Sequence, residues 1–238
     1  MNNQLPFSQS EKSQTEAFSV TDKTRIKRAP QRAVYDKETV YQILDEALLC
    51  HVAFTWNEAP ALIPTIHWRI DNHLYLHGAS KSRLMQHLAS GIPACISVAL
   101  VDGLVLARSA FHHSMNYRSV VIFGCGRSVE DPAKKENVLA RFVEHVIPGR
   151  GADVRPANPT ELKATRLIEF DLLEVSAKIR RGEPKDDSAD MGLDVWAGTI
   201  PLKLTAGEPV TAEDSLVSAP PAYTRNYQRD AVGTESAH

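Results

Sequence analysis

The feature that most constrains this chain is a series of short segments with alternating apolar and polar residues, connected mainly by tight turns. These segments lie at residues 51–55, 61–70, 73–77, 94–101, 104–110, 119–129, 165–180 and 195–204. Alternation with a period of two is typical of β-strands, and the pairs Asp71-Asn72 and Asp102-Gly103 are typical of turns and hairpins. Strands joined by hairpins pair antiparallel, whereas parallel strands need long crossovers. The pattern therefore predicts a mainly β fold, an antiparallel β-barrel with peripheral α-helices, and argues against a doubly wound dinucleotide-binding sheet.

Three further segments have the period of an amphipathic helix. They lie at residues 36–49, 81–89 and 131–146. Asp36 and Asp131 are the predicted N-caps of the first and third helices, because a side-chain oxygen accepts hydrogen bonds from the unpaired N–H groups of a first turn. Ser80 is the predicted N-cap of the second. All three helices are expected at the periphery of the barrel.

The two ends of the chain differ in composition from its middle. Residues 1–30 are rich in Asn, Gln, Ser, Thr and Lys, and residues 206–238 contain Pro220 and Pro221 without a sustained period. Such segments bury too little apolar surface to offset the entropy of ordering. We therefore predict a disordered or loosely attached N-terminal tail at 1–30, one barrel domain at 31–205, and a mostly irregular C-terminal tail at 206–238.

The charge balance restricts the partners. Lys and Arg together number 27 and Asp and Glu 29, for a formal net charge of −2, so the strongly basic surface of a nucleic-acid-binding domain is not expected. No stretch reaches about 18 apolar residues, so no membrane-spanning helix is predicted, and the polar N-terminus lacks the apolar core of a secretory signal. We expect a cytoplasmic protein that acts on a small molecule and binds neither nucleic acid nor membrane.

The three cysteines, Cys50, Cys95 and Cys125, are far apart in the sequence, and each is surrounded by apolar residues. Their number is odd, and they lack the paired spacing of a disulfide framework or a zinc site. We expect buried, reduced thiols that pack as small apolar groups, and no metal site.

The strand-to-helix junction at residues 77–83 has the sequence HGASKSR. A helix N-terminus presents unpaired N–H groups and the positive end of the helix dipole. Combined with hydroxyls and cations it suits a phosphate, since arginine can hold two oxygens at once. The candidate contacts are His77, Ser80, Lys81, Ser82 and Arg83. The alternative is an ordinary helix cap at Ser80 with solvated Lys81 and Arg83.

Nine histidines are available for acid–base chemistry or ligand binding. His67, His73 and His77 lie close to this junction in the sequence, while His112 and His113 lie in a loop between two predicted strands. That loop, RSAFHHSMNYR, combines aromatic and polar groups that suit a flat, partly apolar ligand. A structural hydrogen bond is the alternative for each histidine, and a polar crossover held by its own hydrogen bonds is the alternative for the loop.

Three stretches resemble the flavin-nucleotide-binding proteins related to pyridoxamine 5′-phosphate oxidase. They are LIPTIHWRIDNHLYLHGASKSRL, LVDGLVLARSAFHHSMNYRSVVIFGCGR and VWAGTIPL, all within residues 35–202. The resemblance implies an FMN-binding split β-barrel and a homodimer with two flavins at the subunit interface. It also favours the phosphate interpretation of residues 77–83 over the simple helix cap.

The resemblance further implies roles for individual residues. Ser82 and Arg83 match the serine–arginine pair that binds the FMN phosphate, with Lys81 as a second charge because Leu84 stands where a further lysine is common. Pro64, Thr65, Ile66 and His67 match the strand that lies along the flavin ring. Arg118 and Ser119 match the start of the strand that reaches the flavin from the partner subunit. Trp196 matches a tryptophan near the flavin.

One departure bears on function. True pyridoxamine 5′-phosphate oxidases have, after that tryptophan, an arginine and a histidine that hold the phosphate of the substrate. Residues 197–202 of this chain read AGTIPL instead. FMN binding is therefore expected, whereas oxidation of vitamin B6 is not.

We predict an FMN-dependent oxidoreductase of a small substrate such as an aromatic compound, with nitroreduction as a specific version. His67, His112 and His113 are the candidate catalytic groups, as proton donors or substrate anchors, because imidazole titrates near neutral pH. Two alternatives remain open: a haem-binding or haem-degrading protein on the same barrel, and a flavin carrier without turnover. FAD or a deazaflavin in place of FMN also remains open.

Overall fold

The computed structural model describes residues 16–225 and 227–228, and over these residues the chain is mainly antiparallel β. The strands are β1 (Ala33–Val34), β2 (Leu49–Trp56), β3 (Ala59–Ile66), β4 (Trp68–Ile70), β5 (His73–Ala79), β6 (Pro93–Leu106), β7 (Ser114–Cys125), β8 (Arg127–Ser128), β9 (Thr165–Asp171), β10 (Glu174–Arg180) and β11 (Gly198–Pro201). The α-helices are α1 (Lys37–Glu46), α2 (Arg83–Ala89), α3 (Pro132–Val146), α4 (Pro159–Ala164) and α5 (Ala222–Arg225). The outermost parts of the two predicted tails, residues 1–15, 226 and 229–238, lie outside the described residues.

The strands form two antiparallel sheets. The larger has the order β1-β10-β7-β6-β2-β3, with β11 added to β6, and the smaller has the order β4-β5-β9-β8. The single strand predicted at 165–180 divides at Leu172 and Leu173, so its two halves lie in different sheets. Two antiparallel sheets around a shared core form a split rather than a closed barrel. The predicted mainly β, antiparallel split-barrel class is confirmed.

Helix α1 packs its apolar face into the core between the sheets. Val40, Ile43 and Leu44 are each at most 1% exposed. The same cluster contains residues of both sheets, among them Val52, Ile96, Leu74 and Phe170. The predicted N-cap of this helix is confirmed, because Asp36 Oδ1 accepts a hydrogen bond from the Thr39 N–H at 2.8 Å. The helix and both sheets are therefore held by the burial of one common apolar core.

The predicted hairpin at Asp102-Gly103 is wrong. Strand β6 continues through this pair, and the irregularity between Val101 and Gly103 is a bulge in its pairing with β7. A β-carbon on Gly103 would lie 2.9 Å from the Ile200 carbonyl oxygen. The glycine is therefore required by the close approach of β11 rather than by a turn.

Helix α2 begins later than predicted. Its N-cap is Ser82, whose Oγ accepts a hydrogen bond from the Met85 N–H at 3.3 Å. The predicted cap, Ser80, donates its own N–H to the Ala164 carbonyl at 2.8 Å. Because Ser80 still takes part in the pairing that joins β5 to β9, the helix cannot start until two residues further on.

Part of the predicted N-terminal tail is attached to the core. Phe18 is 6% exposed, and its ring lies edge-on to that of Tyr41 at a centroid distance of 6.1 Å. Thr24 is 1% exposed. The expectation of a loose tail therefore does not hold around these two residues, because one aromatic anchor in a polar segment is enough to bind it to the domain.

After β10 the chain has little regular structure. The strand predicted at 195–204 is reduced to β11, and between Leu202 and Pro221 no helix or strand is present. The end of the described chain is held near the end of α3, where the Tyr223 hydroxyl donates a hydrogen bond to Asp153 Oδ2 at 2.5 Å. Among the described residues, no helix has the length and apolar character needed to cross a lipid bilayer.

Candidate functional site

Two cations without ion-pair partners stand at the start of α2. Lys81 and Arg83 are exposed, and among the described residues neither forms an ion pair. The Arg83 guanidinium lies 5.6 Å from the centroid of the Trp56 ring, at the end of β2. Two positive charges beside an aromatic ring fit the phosphate and the flat ring of a nucleotide. The predicted phosphate contacts of Lys81, Ser82 and Arg83 stay a prediction.

A buried histidine that the sequence did not indicate lies beside this aromatic ring. His87 is 6% exposed, one helical turn after Arg83, and its ring lies 4.5 Å from the Phe54 ring and 6.2 Å from the Trp56 ring. Its Nε2 is buried and has no hydrogen-bond partner in the described part of the chain. A buried polar atom of this kind is uncommon in proteins and is satisfied when a polar ligand or a water reaches it.

Ser80 is turned away from the cations. Its hydroxyl donates to the Ala164 carbonyl at 2.8 Å and lies 3.1 Å from the Lys163 carbonyl oxygen, at the C-terminal end of α4. The hydroxyl hydrogen is therefore already used, and this side chain has no hydrogen left to donate to a phosphate.

His77 packs under α3. Its ring lies 5.5 Å from the Trp68 ring and 4.5 Å from the Phe142 ring, and burial lowers the pKa of this imidazole below its usual value. Its Nδ1 is buried without a hydrogen-bond partner among the described residues, as is Trp68 Nε1. His77 is therefore a neutral aromatic packing group at neutral pH, with one unsatisfied nitrogen.

The strand predicted to follow the flavin ring is the edge strand of the larger sheet. Pro64, Thr65 and Ile66 pair with β2 on one side only, so the other side of the β3 backbone faces no strand in the described chain. His67 follows directly and is fully buried, and its Nε2–H donates to the Leu44 carbonyl at 3.0 Å. This hydrogen bond connects the end of β3 to α1 and gives the buried His67 a structural role.

Arg118 points toward the core side of β7 and is 8% exposed. Its guanidinium donates to Asp102, at 2.9 Å from Nε to Oδ2, and to Glu46, at 2.8 Å from Nη2 to Oε1. The hydrogen bond to Glu46 and the nearby Asp102 charge raise the pKa of Arg118 above its usual value, against the effect of burial. Ser119 points the opposite way and donates its hydroxyl to the Lys178 carbonyl at 3.2 Å. A flavin contact by Arg118 would therefore compete with two carboxylates of its own chain.

The histidine-rich loop between β6 and β7 is held by the segment after β10. The Arg108 N–H donates to Asp186 Oδ1 at 2.8 Å, and the Asp186 side chain is 1% exposed. His112 Nε2 lies 3.2 Å from Asp187 Oδ2. His113 is exposed, and its Nδ1–H donates to the Ser109 carbonyl at 2.9 Å. Loop and segment therefore form one anchored unit.

Trp196 lies at the end of this same segment and is 65% exposed. Its ring covers Gly198, since a β-carbon on Gly198 would lie 2.8 Å from Trp196 Cζ2.

The predicted site residues fall into two sets. The first, around Lys81, Arg83 and Trp56, lies beyond the Pro93 end of β6, and the second, around His112, His113 and Trp196, lies at its Leu106 end. The 14 residues of β6 lie between the two sets.

An ion-pair cluster that the sequence did not indicate surrounds Glu169 on β9. This carboxylate is 6% exposed and accepts hydrogen bonds from the Tyr75 hydroxyl and from Lys134 Nζ, each at 2.6 Å. Burial alone would raise its pKa, but the hydrogen bonds from Lys134, Tyr75 and Arg127 outweigh burial and lower the pKa to about 2. His73, Glu169 and Asp171 offer ligand atoms within 4.8 Å of one another, and both carboxylates are already paired with the cations of Arg127 and Lys134.

Comparison with known proteins was made by sequence and by structure. Residues 36–179 match the sequence model of the family described as pyridoxamine 5′-phosphate oxidase. No curated protein matches the chain. Among solved structures, the flavocytochrome Anf3 of Azotobacter vinelandii is 37% identical with a TM-score of 0.82, and the match covers 87% of this chain and 97% of that one.

Two further solved structures are similar. A protein of Mycobacterium smegmatis described as FAD- and haem-binding is 32% identical with a TM-score of 0.78, over 82% of this chain and 96% of that one. A protein of Bacteroides thetaiotaomicron described as a 5-nitroimidazole antibiotic resistance protein is 21% identical with a TM-score of 0.53, over 62% of this chain and 86% of that one. The last similarity concerns the fold alone.

Proposed function

This chain belongs to the pyridoxamine 5′-phosphate oxidase family, and from this premise we propose that it is a redox protein that binds a flavin and a haem. The observation that carries the proposal is the division of the candidate residues into two sets at opposite ends of β6, one cationic and one with exposed histidine and aromatic groups. Two relatives that this chain matches over almost their whole length are a flavocytochrome and an FAD- and haem-binding protein.

The flavin belongs to the set at the start of α2. Lys81 and Arg83 supply charge for the phosphate groups, and the buried, unpartnered His87 Nε2 supplies a polar contact beside Trp56. The free edge of β3 supplies backbone groups along the ring. We propose FAD rather than FMN, because the similar Mycobacterium smegmatis protein is described as binding FAD. When bound, a flavin supplies hydride and electron transfer, and the residues of this chain supply binding and orientation.

The haem belongs to the set at the Leu106 end of β6, where histidine nitrogen can serve as an iron ligand. Of the three candidate catalytic histidines, His67 is buried against Leu44 and His112 faces Asp187. His113 remains exposed. Both cofactors carry electrons, so the proposed function is electron transfer, with a small molecule as donor or acceptor.

A homodimer is part of the proposal. Apolar side chains stand exposed on the larger sheet, with Leu49 52%, Leu62 60% and Val101 48% exposed. Exposed apolar groups concentrated on one sheet are typical of a protein–protein interface.

Oxidation of pyridoxamine 5′-phosphate is not proposed. Trp196 is followed by Ala197, Gly198 and Thr199, and β11 carries neither an arginine nor a histidine. The segment therefore lacks a cation to hold a substrate phosphate at this place.

The proposal is tested on the full-length protein as purified from cells supplied with iron. We expect a visible spectrum with both flavin bands and a Soret band, and mass spectrometry of the released cofactors should identify FAD and haem. Both cofactors are then reduced with NADH, NADPH or dithionite and reoxidised with a panel of acceptors. This assay separates an oxidoreductase from a flavin carrier. Protein that stays colourless after incubation with FAD, FMN and haemin would overturn the proposal.

A further inference from the structure

A flat apolar face lies where β11, β6 and β7 meet. Ile200 is paired with Leu104, and Leu104 with Met115. Directly opposed residues of antiparallel strands place their side chains on the same face. The three side chains are 44%, 43% and 48% exposed, so this row is open to a ligand or a partner.

A tryptophan and a histidine border the next row of the same face. Gly198 is paired with Leu106, and His113 directly precedes β7, two residues before Met115. Extending the alternation of β7 by one residue places the His113 side chain on the face of Met115. Because Gly198 has no side chain, the Trp196 ring occupies the space where its β-carbon would stand. The face thus combines an indole, three aliphatic side chains and an imidazole.

The imidazole of His113 is held in one tautomer. A carbonyl oxygen can only accept a hydrogen bond, so the 2.9 Å contact with Ser109 requires the hydrogen on Nδ1. In the neutral ring the lone pair then belongs to Nε2, on the exposed side chain. Metal-ligating histidines in proteins have this arrangement, with the second ring nitrogen donating to a carbonyl or carboxylate that orients the ring.

The loop that carries His113 is fixed before any ligand binds. The backbone N–H and the guanidinium of Arg108 both donate hydrogen bonds to the Asp186 carboxylate. His112 Nε2 lies 3.2 Å from Asp187 Oδ2. A ligand that uses His113 therefore loses little loop entropy on binding. Four other histidines are less suited, because each is buried or has Nε2 at a carbonyl or carboxylate: His67, His87, His73 and His112. His51 is exposed as well, but it pairs with Ser97 of β6 and so lies away from Leu104 and Trp196.

We propose that His113 Nε2 is an axial ligand of the haem iron and that the porphyrin lies on this face, in contact with Trp196 and the row of Ile200, Leu104 and Met115. The inference rests on the proposed binding of haem and adds which residue holds the iron. An exposed apolar row with an imidazole Nε2 beside it offers the apolar contacts and the nitrogen ligand that a haem requires.

The test uses the full-length protein with three substitutions: His113→Ala, His113→Met and, as a matched control, His73→Ala, which removes an imidazole from the ion-pair cluster around Glu169. Haem content, Soret position and flavin content are measured together with the melting temperature. We expect His113→Ala to lose haem at least about 10-fold while keeping its flavin. Added imidazole should restore the Soret position, and His113→Met should shift it. His73→Ala should match the wild type in all three.

The outcomes separate this inference from the proposed function. If the wild type binds haem and His113→Ala binds it equally with an unchanged spectrum, His113 is not the ligand, although the protein remains a haem protein. If the wild type binds no haem, the haem part of the proposed function itself fails. If His113→Ala is folded but loses flavin and keeps haem, this face holds the flavin and the inference is overturned. If His113→Ala does not fold, His113→Met is used in its place. A shifted Soret band in His113→Met supports His113 as the ligand, and an unshifted band overturns it.

Discussion

The Arg118 guanidinium and the Asp102 carboxylate form a two-point hydrogen bond, with Nε 2.9 Å from Oδ2 and Nη2 2.7 Å from Oδ1. Glu46, the last residue of α1, accepts from the same guanidinium. One buried cation therefore connects α1, the bulge of β6 and the start of β7. Because removal of the arginine leaves two carboxylates close together without this cation, the stability of the junction depends on Arg118.

We expect Arg118→Met to lower the free energy of unfolding by about 3 kcal/mol, because two carboxylates would remain close together without their cation. Urea denaturation measures the loss. The triple variant Arg118→Met, Glu46→Gln, Asp102→Asn should recover most of it. Arg118→Lys keeps one charge and should retain flavin as the wild type does. Loss of flavin from a folded Arg118→Lys protein would instead support the flavin contact predicted from the sequence.

Replacement of Lys81 or Arg83 by alanine should weaken flavin binding roughly 10- to 100-fold, because a charge-assisted hydrogen bond contributes about 1.5–3 kcal/mol. Titration of apoprotein with FAD, followed by flavin fluorescence, measures the dissociation constant. Ser80→Ala should change it little, since that hydroxyl already donates to the Ala164 carbonyl.

The control for these variants is Arg155→Ala, which removes an exposed arginine that pairs with Glu161 at 2.6 Å. It should bind flavin like the wild type. Wild-type affinity in the double variant of Lys81 and Arg83 would contradict the placement of the phosphate groups at α2.

The stability of the fold should fall in acid because of Glu169. Its pKa is lowered from 4.5 to about 2 in the folded chain, so the stabilising contribution is present above pH 4.5 and is lost as the pH falls toward 2. By linkage this contribution is about 3 kcal/mol. The urea midpoint, measured between neutral pH and pH 2, should decrease in the wild type. In Glu169→Gln the midpoint should already be low at neutral pH and should depend less on pH, and an equal pH dependence in both proteins would count against the hydrogen bonds at Glu169.

The three cysteines should differ in reactivity, which corrects the expectation that all are buried. Cys125 is exposed, Cys95 is half-buried on the larger sheet, and Cys50 is buried. Burial raises the pKa of Cys50 to about 12, so almost none of this thiol is the reactive thiolate at neutral pH. Iodoacetamide followed by intact-mass and peptide analysis should modify Cys125 first and Cys50 only after unfolding. Early labelling of Cys50 in folded protein would be inconsistent with the core.

Gly198→Ala should displace the Trp196 ring with little effect on stability. The new β-carbon would lie 2.8 Å from Trp196 Cζ2, but the indole is 65% exposed and can turn toward solvent. We expect a change in unfolding free energy within about 0.5 kcal/mol, together with a shift in tryptophan fluorescence. Leu202→Ala, in the same segment, is the control and should leave the fluorescence unchanged. A large loss of stability in Gly198→Ala would mean that the ring is fixed by contacts with the rest of the fold.

Much of the fold was predictable because its signals are local. Two-residue alternation marked most of the strands, and Asp36 and Asp131 marked two helix starts through their carboxylates. The candidate site was predictable only in part. The residue types at 80–83 and 112–113 indicated a ligand, but whether a hydroxyl or a guanidinium already has a partner is not a property of its own segment.

What the sequence alone determined is the antiparallel, hairpin-rich architecture and the two groups of chemically active side chains, since both depend on neighbouring residues. The tertiary structure decided that Asp102-Gly103 is a bulge and not a turn, because β11 and Arg118 approach it from distant parts of the chain. It also decided that the candidate groups lie at opposite ends of β6 and that His113, not His67, faces outward. These outcomes depend on contacts between residues far apart in the sequence, where close packing and hydrogen-bond pairing overrule local preference.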